Sequence, residues 1–113
     1  MKVTEAAVTR FADMFAALGA EPRLRVIRLL LAAHPDGLVV GEIQAETGIA
    51  NSTLSHHLEK LKIDELVTTE REKAFIRYRA NTAVLEELLG FLYAECCTRN
   101  RAVEPRNIAA ICK

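Results

Sequence analysis

From Asn51 to Lys62 the chain reads Asn-Ser-Thr-Leu-Ser-His-His-Leu-Glu-Lys-Leu-Lys. Leu54, Leu58 and Leu61 recur at four and three residues, the period of one helix face. Every other position in the stretch is polar, and the first few carry an amide, hydroxyls and imidazoles. A helix divided in this way must lay its leucines on a core and hold its short polar groups in solvent. Asn51 or Ser52 can cap its start, and it runs to about Ile63. Ahead of it, Gly41 to Thr47 fits a helix of about two turns, with Ile43 inward and Gly48 as its stop. Two helices split by a Gly-containing turn form a helix-turn-helix.

The flanking segments fill out the domain. Thr4 caps a first helix whose apolar face is Val8, Phe11, Met14, Phe15 and Leu18, with Gly19 as its end. Glu21-Pro22 opens a second helix, Pro being tolerated in the first turn. Leu24, Ile27, Leu30 and Leu31 form its buried stripe, and Arg23, Arg25 and Arg28 point elsewhere. His34-Pro35-Asp36-Gly37 is a turn, and Leu38-Val39-Val40 a short extended segment. Leu66 to Arg71 and Phe75 to Arg79 read as strands, the second alternating, with Glu72-Lys73-Ala74 as the hairpin tip. Asn81 caps a last helix through about Glu95, with Val84, Leu85, Leu88, Leu89, Leu92 and Tyr93 apolar. The expected fold is mainly α with a small β-hairpin, a winged helix-turn-helix. The chain divides into residues 1–97 as the folded unit and 98–113 as a tail.

A helix that presents short donors and acceptors at its N-terminal end has what entry into a major groove requires. Asn51, Ser52, Thr53, Ser55, His56 and His57 are the candidate DNA-reading residues. Lys60 on the same helix, with Arg71, Lys73 and Arg77 around the wing, can neutralise phosphates. Lys62 belongs with this group. His56 and His57 are adjacent, so they diverge around the helix and do not readily share one metal ion. A plain surface helix would show the same triplet of side chains; the preceding helix, the Gly turn and the wing favour the DNA-reading element.

The bulk properties agree with this and exclude other classes. The 113 residues suit one compact domain. Formal net charge is zero, so the chain is no general polycation. Residues 1–50 hold five Lys/Arg against six acids, and residues 51–79 hold six against five with two His. No apolar run is long enough to cross a bilayer. The N-terminal Met-Lys-Val-Thr-Glu has no signal-peptide core, so the expected location is the cytoplasm, where thiols stay reduced. No Gly-rich phosphate loop and no plausible nucleophile–base pair is marked, which leaves an enzyme with little support.

The recognition-type stretch, Leu66-Val67, and Arg71 through Arg77-Tyr78-Arg79 together resemble the ArsR/SmtB family of bacterial winged-helix metalloregulatory repressors. Leu18-Gly19-Ala20-Glu21-Pro22-Arg23-Leu24-Arg25 is similar to that family's entry into its second helix. The resemblance covers roughly residues 10–95. Two departures stand out. The family often has Ala-Gly before the Leu-Val of the wing, where this chain has Asp64-Glu65, and a Gly in the wing turn, where it has Lys73-Ala74. The resemblance implies a homodimer joined through its first and last helices. It also implies double-stranded operator DNA of pseudo-palindromic sequence as partner, with half-sites about one helical turn apart. The broad apolar stripe over residues 84–93 and the cluster Phe11, Met14, Phe15 agree with such a dimer.

The three cysteines are Cys96, Cys97 and Cys112. An odd number argues against a disulfide scaffold. The resemblance implies an inducer site, which in this family occurs at several places. One uses cysteines at the start of the third helix, and Val39 to Gln44 holds none. Another uses His and carboxylates on the last helix, and residues 81–95 contain no His. Leu92-Tyr93-Ala94-Glu95-Cys96-Cys97 resembles a third, arsenic-responsive variant with a vicinal pair after the last helix and a further Cys downstream. Soft As(III) or Sb(III) suits three thiolates. Adjacent side chains on an intact helix point about 100° apart, so the pair can share an ion only where the helix ends. The expectation is a repressor that holds its operator as an apo dimer and releases it when As(III) or Sb(III) binds Cys96, Cys97 and Cys112. Alternatives are a two-thiol site for a methylated arsenical, a thiol-redox repressor switched by disulfide formation, structural zinc, and buried apolar Cys. No organic cofactor is expected.

Overall fold

The computed structural model describes residues 4–95 and Arg99. Its order is α1 (Glu5–Leu18), α2 (Glu21–Ala32), β1 (Leu38–Val39), α3 (Val40–Thr47), α4 (Asn51–Ile63), β2 (Val67–Glu72), β3 (Phe75–Ala80) and α5 (Thr82–Tyr93). The strands form one antiparallel sheet in the order β1-β3-β2. This is the expected winged helix-turn-helix. Among the described residues, no helix is long and apolar enough to cross a membrane.

A single core joins the elements. Phe11, Met14 and Ala17 of α1 meet Val26, Ile27 and Leu30 of α2, Ile43 of α3, and Leu54, Leu58 and Leu61 of α4. Leu66, Val67 and Ala80 close it from the sheet, and Val84 and Leu88 from α5. Such burial of branched aliphatic side chains is the main favourable term for the fold. The Phe11 and Phe91 rings stack at 4.5 Å and join α1 to α5.

Several local expectations need correction. Leu24 and Leu31 do not belong to the buried stripe of α2; they are 45% and 42% exposed. The buried face is centred on Val26, Ile27 and Leu30, and the helical repeat of about 100° per residue carries Leu24 and Leu31 well around from it. Asn51 and Ser52 do not cap α4. They lie inside its first turn, Ala50 stands at the cap position, and no side chain caps it. Glu72 belongs to β2, which leaves Lys73-Ala74 as the tip. The strand β3 shows no alternation of burial, because most of the wing projects away from the core. Thr4 and Asn81 do cap their helices, accepting from the amides of Ala7 and Val84.

Two glycines are required by the path of the chain. Gly37 has φ +75°, and a Cβ there would collide with the Tyr78 carbonyl oxygen. Gly48 ends α3 in the left-handed region at φ 71°, a conformation that glycine adopts more readily than residues with a Cβ. Two non-glycine residues are also left-handed, Glu65 at φ 63° and Lys73 at φ 55°; they lie within Asp64-Glu65 and Lys73-Ala74, the two departures from the resembled pattern. The wing therefore keeps its backbone path at a local conformational cost.

Candidate nucleic-acid interface

The turn between α3 and α4 is held by its own side chains. Thr47 Oγ1 donates to the Ile43 carbonyl at 2.8 Å and accepts from the Ile49 amide at 3.3 Å. The amide of Gly48 closes on Gln44 O at 2.8 Å. At the other end of α3, the Glu42 carboxylate accepts from the Val39 amide at 3.0 Å. These contacts fix α3 as a platform, and the leucine stripe of α4 docks on the core beside it. The polar side of α4 is thereby left in solvent, with Asn51, Ser52, Thr53, Ser55 and His56 all exposed. Ser52, His56 and Lys60 are spaced four apart on the side opposite the leucines. Without a side-chain cap, the first amides of α4 remain open to an anionic oxygen.

His57 is the exception on this helix. It is half-buried at the flank turned toward α2. Its Nδ1 lies 3.2 Å from Arg23 Nη1, and Arg23 Nε donates to the Ala17 carbonyl at 2.7 Å. Burial, the Arg23 guanidinium and His56 all press the His57 pKa below its usual value of 6.5. Arg23 thus points inward between helices, contrary to the expectation from the α2 pattern.

The wing cations differ in their freedom. Cross-strand register pairs Glu70 with Arg77 and Arg71 with Ile76. Alternation then puts Glu70, Glu72, Phe75, Arg77 and Arg79 on one face, and Thr69, Arg71, Ile76 and Tyr78 on the other. Arg77 Nε donates to Glu72 at 2.9 Å, and its Nη1 to the Gly37 carbonyl at 3.2 Å. The same bond holds the Glu72 carboxyl below its ordinary pKa and the Arg77 guanidinium above its own. Arg79 bonds Glu70 at 2.8 Å and the Pro35 carbonyl at 3.0 Å. Arg71 is exposed on the other face, and Lys73 is exposed at the tip. Burial and the Glu59 carboxylate of α4 raise the Tyr78 pKa. Lys60 Nζ lies 3.1 Å from Asp64 Oδ2, close enough for an ion pair but without the alignment of a hydrogen bond.

The structure thus leaves Asn51, Ser52, Thr53, Ser55, His56 and Lys60 exposed on α4, and Arg71 and Lys73 exposed on the wing. It engages Arg77 within the sheet and His57 against α2. Sequence reasoning missed Arg23, which lies 34 positions from its partner. It also missed Arg79 as a brace of the wing. Cys96, Cys97 and Cys112 lie outside the described residues, as does the proposed boundary at residues 97 and 98. Among the described residues, no group of three or more His, Cys, Asp or Glu could hold a metal ion.

The model of a helix-turn-helix domain family matches residues 13–70. The transcriptional repressor SdpR of Bacillus subtilis is 29% identical over 80 residues, which cover 71% of this chain and 86% of that one. The structure of reduced HlyU from Vibrio cholerae superposes with a TM-score of 0.62 at 32% identity, covering 79% of this chain and 94% of that one. A homodimeric winged helix-turn-helix DNA-binding domain from Mycobacterium bovis, a possible ArsR-family transcriptional regulator, shares the fold. Its TM-score is 0.62 at 24% identity, over 92% of this chain and 99% of that one. Relatives of this kind regulate transcription and are not enzymes. With α4 laying its leucines on the core and its polar side open, the chain belongs to the helix-turn-helix domain family and is similar to the transcriptional regulators SdpR and HlyU.

Proposed function

We propose that the chain is a homodimeric transcriptional repressor that holds a pseudo-palindromic operator in the apo state and releases it when As(III) or Sb(III) binds Cys96, Cys97 and Cys112. The observation that carries the DNA half is α4, whose Asn51, Ser52, Thr53, Ser55 and His56 stand together in solvent at an uncapped helix start. Arg71 and Lys73 on the wing, with Lys60 at the end of α4, supply cations for phosphate. The exposed apolar side chains of α1 and α5, Val8, Phe15, Leu89 and Leu92, support a dimer. So does the Mycobacterium bovis relative, which is itself a homodimer.

The inducer half rests on the thiols. Helix α5 ends at Tyr93, and the vicinal pair begins at residue 96. Three soft thiolates match a trivalent metalloid better than they match hard cations. Residues 1–97 act as the reading and dimerisation unit, 98–113 as the tail that brings the third thiol. Ligation at the end of α5 alters the helix that joins the subunits, and with it the spacing of the two α4 helices. Useful coupling of this kind is about 1–3 kcal/mol, and DNA must weaken metalloid binding by the same factor. Such a regulator acts in the cytoplasm, where its thiols stay reduced.

A second reading, a redox switch through disulfide formation, gains weight from the HlyU relative, whose structure is that of a reduced form. A gel shift on a promoter fragment enriched by the wild-type protein separates the two. As(III) and Sb(III), with Zn(II) and Cd(II) as controls, are titrated in one arm and peroxide in another. Release by metalloid under reductant, lost in Cys96→Ser and Cys97→Ser with DNA binding kept, supports the proposal. Release by peroxide alone, reversed by reductant, supports the redox reading instead.

A further inference from the structure

Arg23 stands outside the DNA-reading surface, yet it decides what His57 can offer there. A guanidinium has donors and no acceptor. Its approach to His57 Nδ1 at 3.2 Å is therefore a hydrogen bond only if Nδ1 accepts. A neutral imidazole with Nδ1 as acceptor carries its proton on Nε2. Arg23 is itself anchored by Nε to the Ala17 carbonyl at 2.7 Å, so α2 and the end of α1 set its direction. Among the described residues, His57 Nε2 makes no hydrogen bond.

We infer that Arg23 is a positioning residue that holds His57 as the Nε2–H tautomer, so that His57 meets DNA as a donor only. The inference rests on the DNA-reading proposal for α4. Its chemical consequence is specific. An Nε2–H matches purine N7, guanine O6, thymine O4 or a phosphate oxygen, and opposes the amino group of cytosine. A free imidazole could exchange tautomers and accept from that amino group as well. The interhelical bond removes this choice before DNA arrives, which is preorganisation by a residue that touches no base.

The test has one arm without DNA and one with it. Long-range nitrogen–proton NMR of the full chain, with nitrogen-15 histidine, reads the His57 tautomer directly. Wild type should show Nε2–H, and Arg23→Gln should show a mixture, with a His57 pKa closer to its ordinary value. Thermal melting accompanies each variant to show that it is folded. In the second arm, sequences enriched from a random duplex pool by wild type, Arg23→Gln and His57→Ala are compared. Arg23→Gln should relax preference at one base pair per half-site by roughly two- to tenfold, the worth of one hydrogen bond. Arg23→Gln added to His57→Ala should change that preference no further. A uniform loss across sequences with the tautomer changed assigns the acceptor to a phosphate. A wild-type Nδ1–H tautomer, or one unchanged in Arg23→Gln, overturns the positioning role. So does a shallower salt dependence with the tautomer intact, which makes Arg23 a plain phosphate contact. A wild-type chain that enriches no sequence defeats the DNA-reading proposal and this reading of His57 with it; the tautomer result then concerns packing alone.

Discussion

His57 shows how one side chain can belong to two surfaces. It sits on the flank of α4 between the leucine stripe and the exposed side, so it packs on α2 and still borders the proposed DNA-reading face. Its depressed pKa has a consequence for stability. Between the folded value and the usual 6.5, the unfolded chain takes up a proton that the folded chain refuses. Stability attributable to His57 is thus complete above pH 6.5 and is lost as pH falls through the lower folded value. Urea midpoints measured from pH 7.5 down to 5 should fall more for wild type than for His57→Gln; parallel curves would remove His57 from the account. Leu58 is a simpler case, 1% exposed in the centre of the core. Leu58→Ala should cost about 2–5 kcal/mol in chemical denaturation, through lost burial and the cavity left behind.

At the scale of the element, the wing is held by ion pairs and by two unusual backbone positions. The pairs Arg77–Glu72 and Arg79–Glu70 cross between β2 and β3, and both arginines also reach carbonyls of the Pro35–Gly37 turn. The hairpin is thereby tied to β1 and to the turn before it. Lys73 and Glu65 occupy left-handed backbone, which costs a non-glycine residue about 1–2 kcal/mol. A glycine there relieves that cost and returns part of it as freedom of the unfolded chain. Lys73→Gly should therefore stabilise the protein by up to about 1 kcal/mol in urea titration. Glu65→Gly should gain less, since it also removes the exposed pair with Arg10 at 3.6 Å. Asn81 joins the same region to α5: it caps the helix and donates to the Glu65 carbonyl at 2.8 Å. Asn81→Ala should lose about 1–2 kcal/mol, read as a lower melting midpoint.

The whole molecule has an apolar side that its own fold leaves uncovered. Val8 and Phe15 lie seven apart on α1, and Leu92 on α5 is 57% exposed. The Phe11–Phe91 stack sets these helices side by side, so their outer faces form one surface. A second copy of the chain is the proposed occupant. Phe15→Glu combined with Leu92→Glu should give a monomer by light scattering while the far-ultraviolet spectrum stays helical. If the proposed function holds, affinity for the proposed operator should fall with it, because two α4 helices no longer act together. A double variant that remains dimeric would place the interface elsewhere.

Periodicity was enough to lay out the helices, the hairpin and the Leu54–Leu58–Leu61 stripe, because a helix or strand with one buried face must repeat its apolar residues at its own geometric period. The exposed polar start of α4 was legible for the same reason: what the leucines bury determines what the remaining side chains face. Pattern alone could not say that Arg23 turns inward to His57, that Arg77 is bound to Glu72 and the Gly37 carbonyl, or that Leu24 and Leu31 stay out of the core. Those outcomes depend on how rigid elements distant in sequence approach one another, and a long flexible side chain follows whichever acceptor that approach brings within reach.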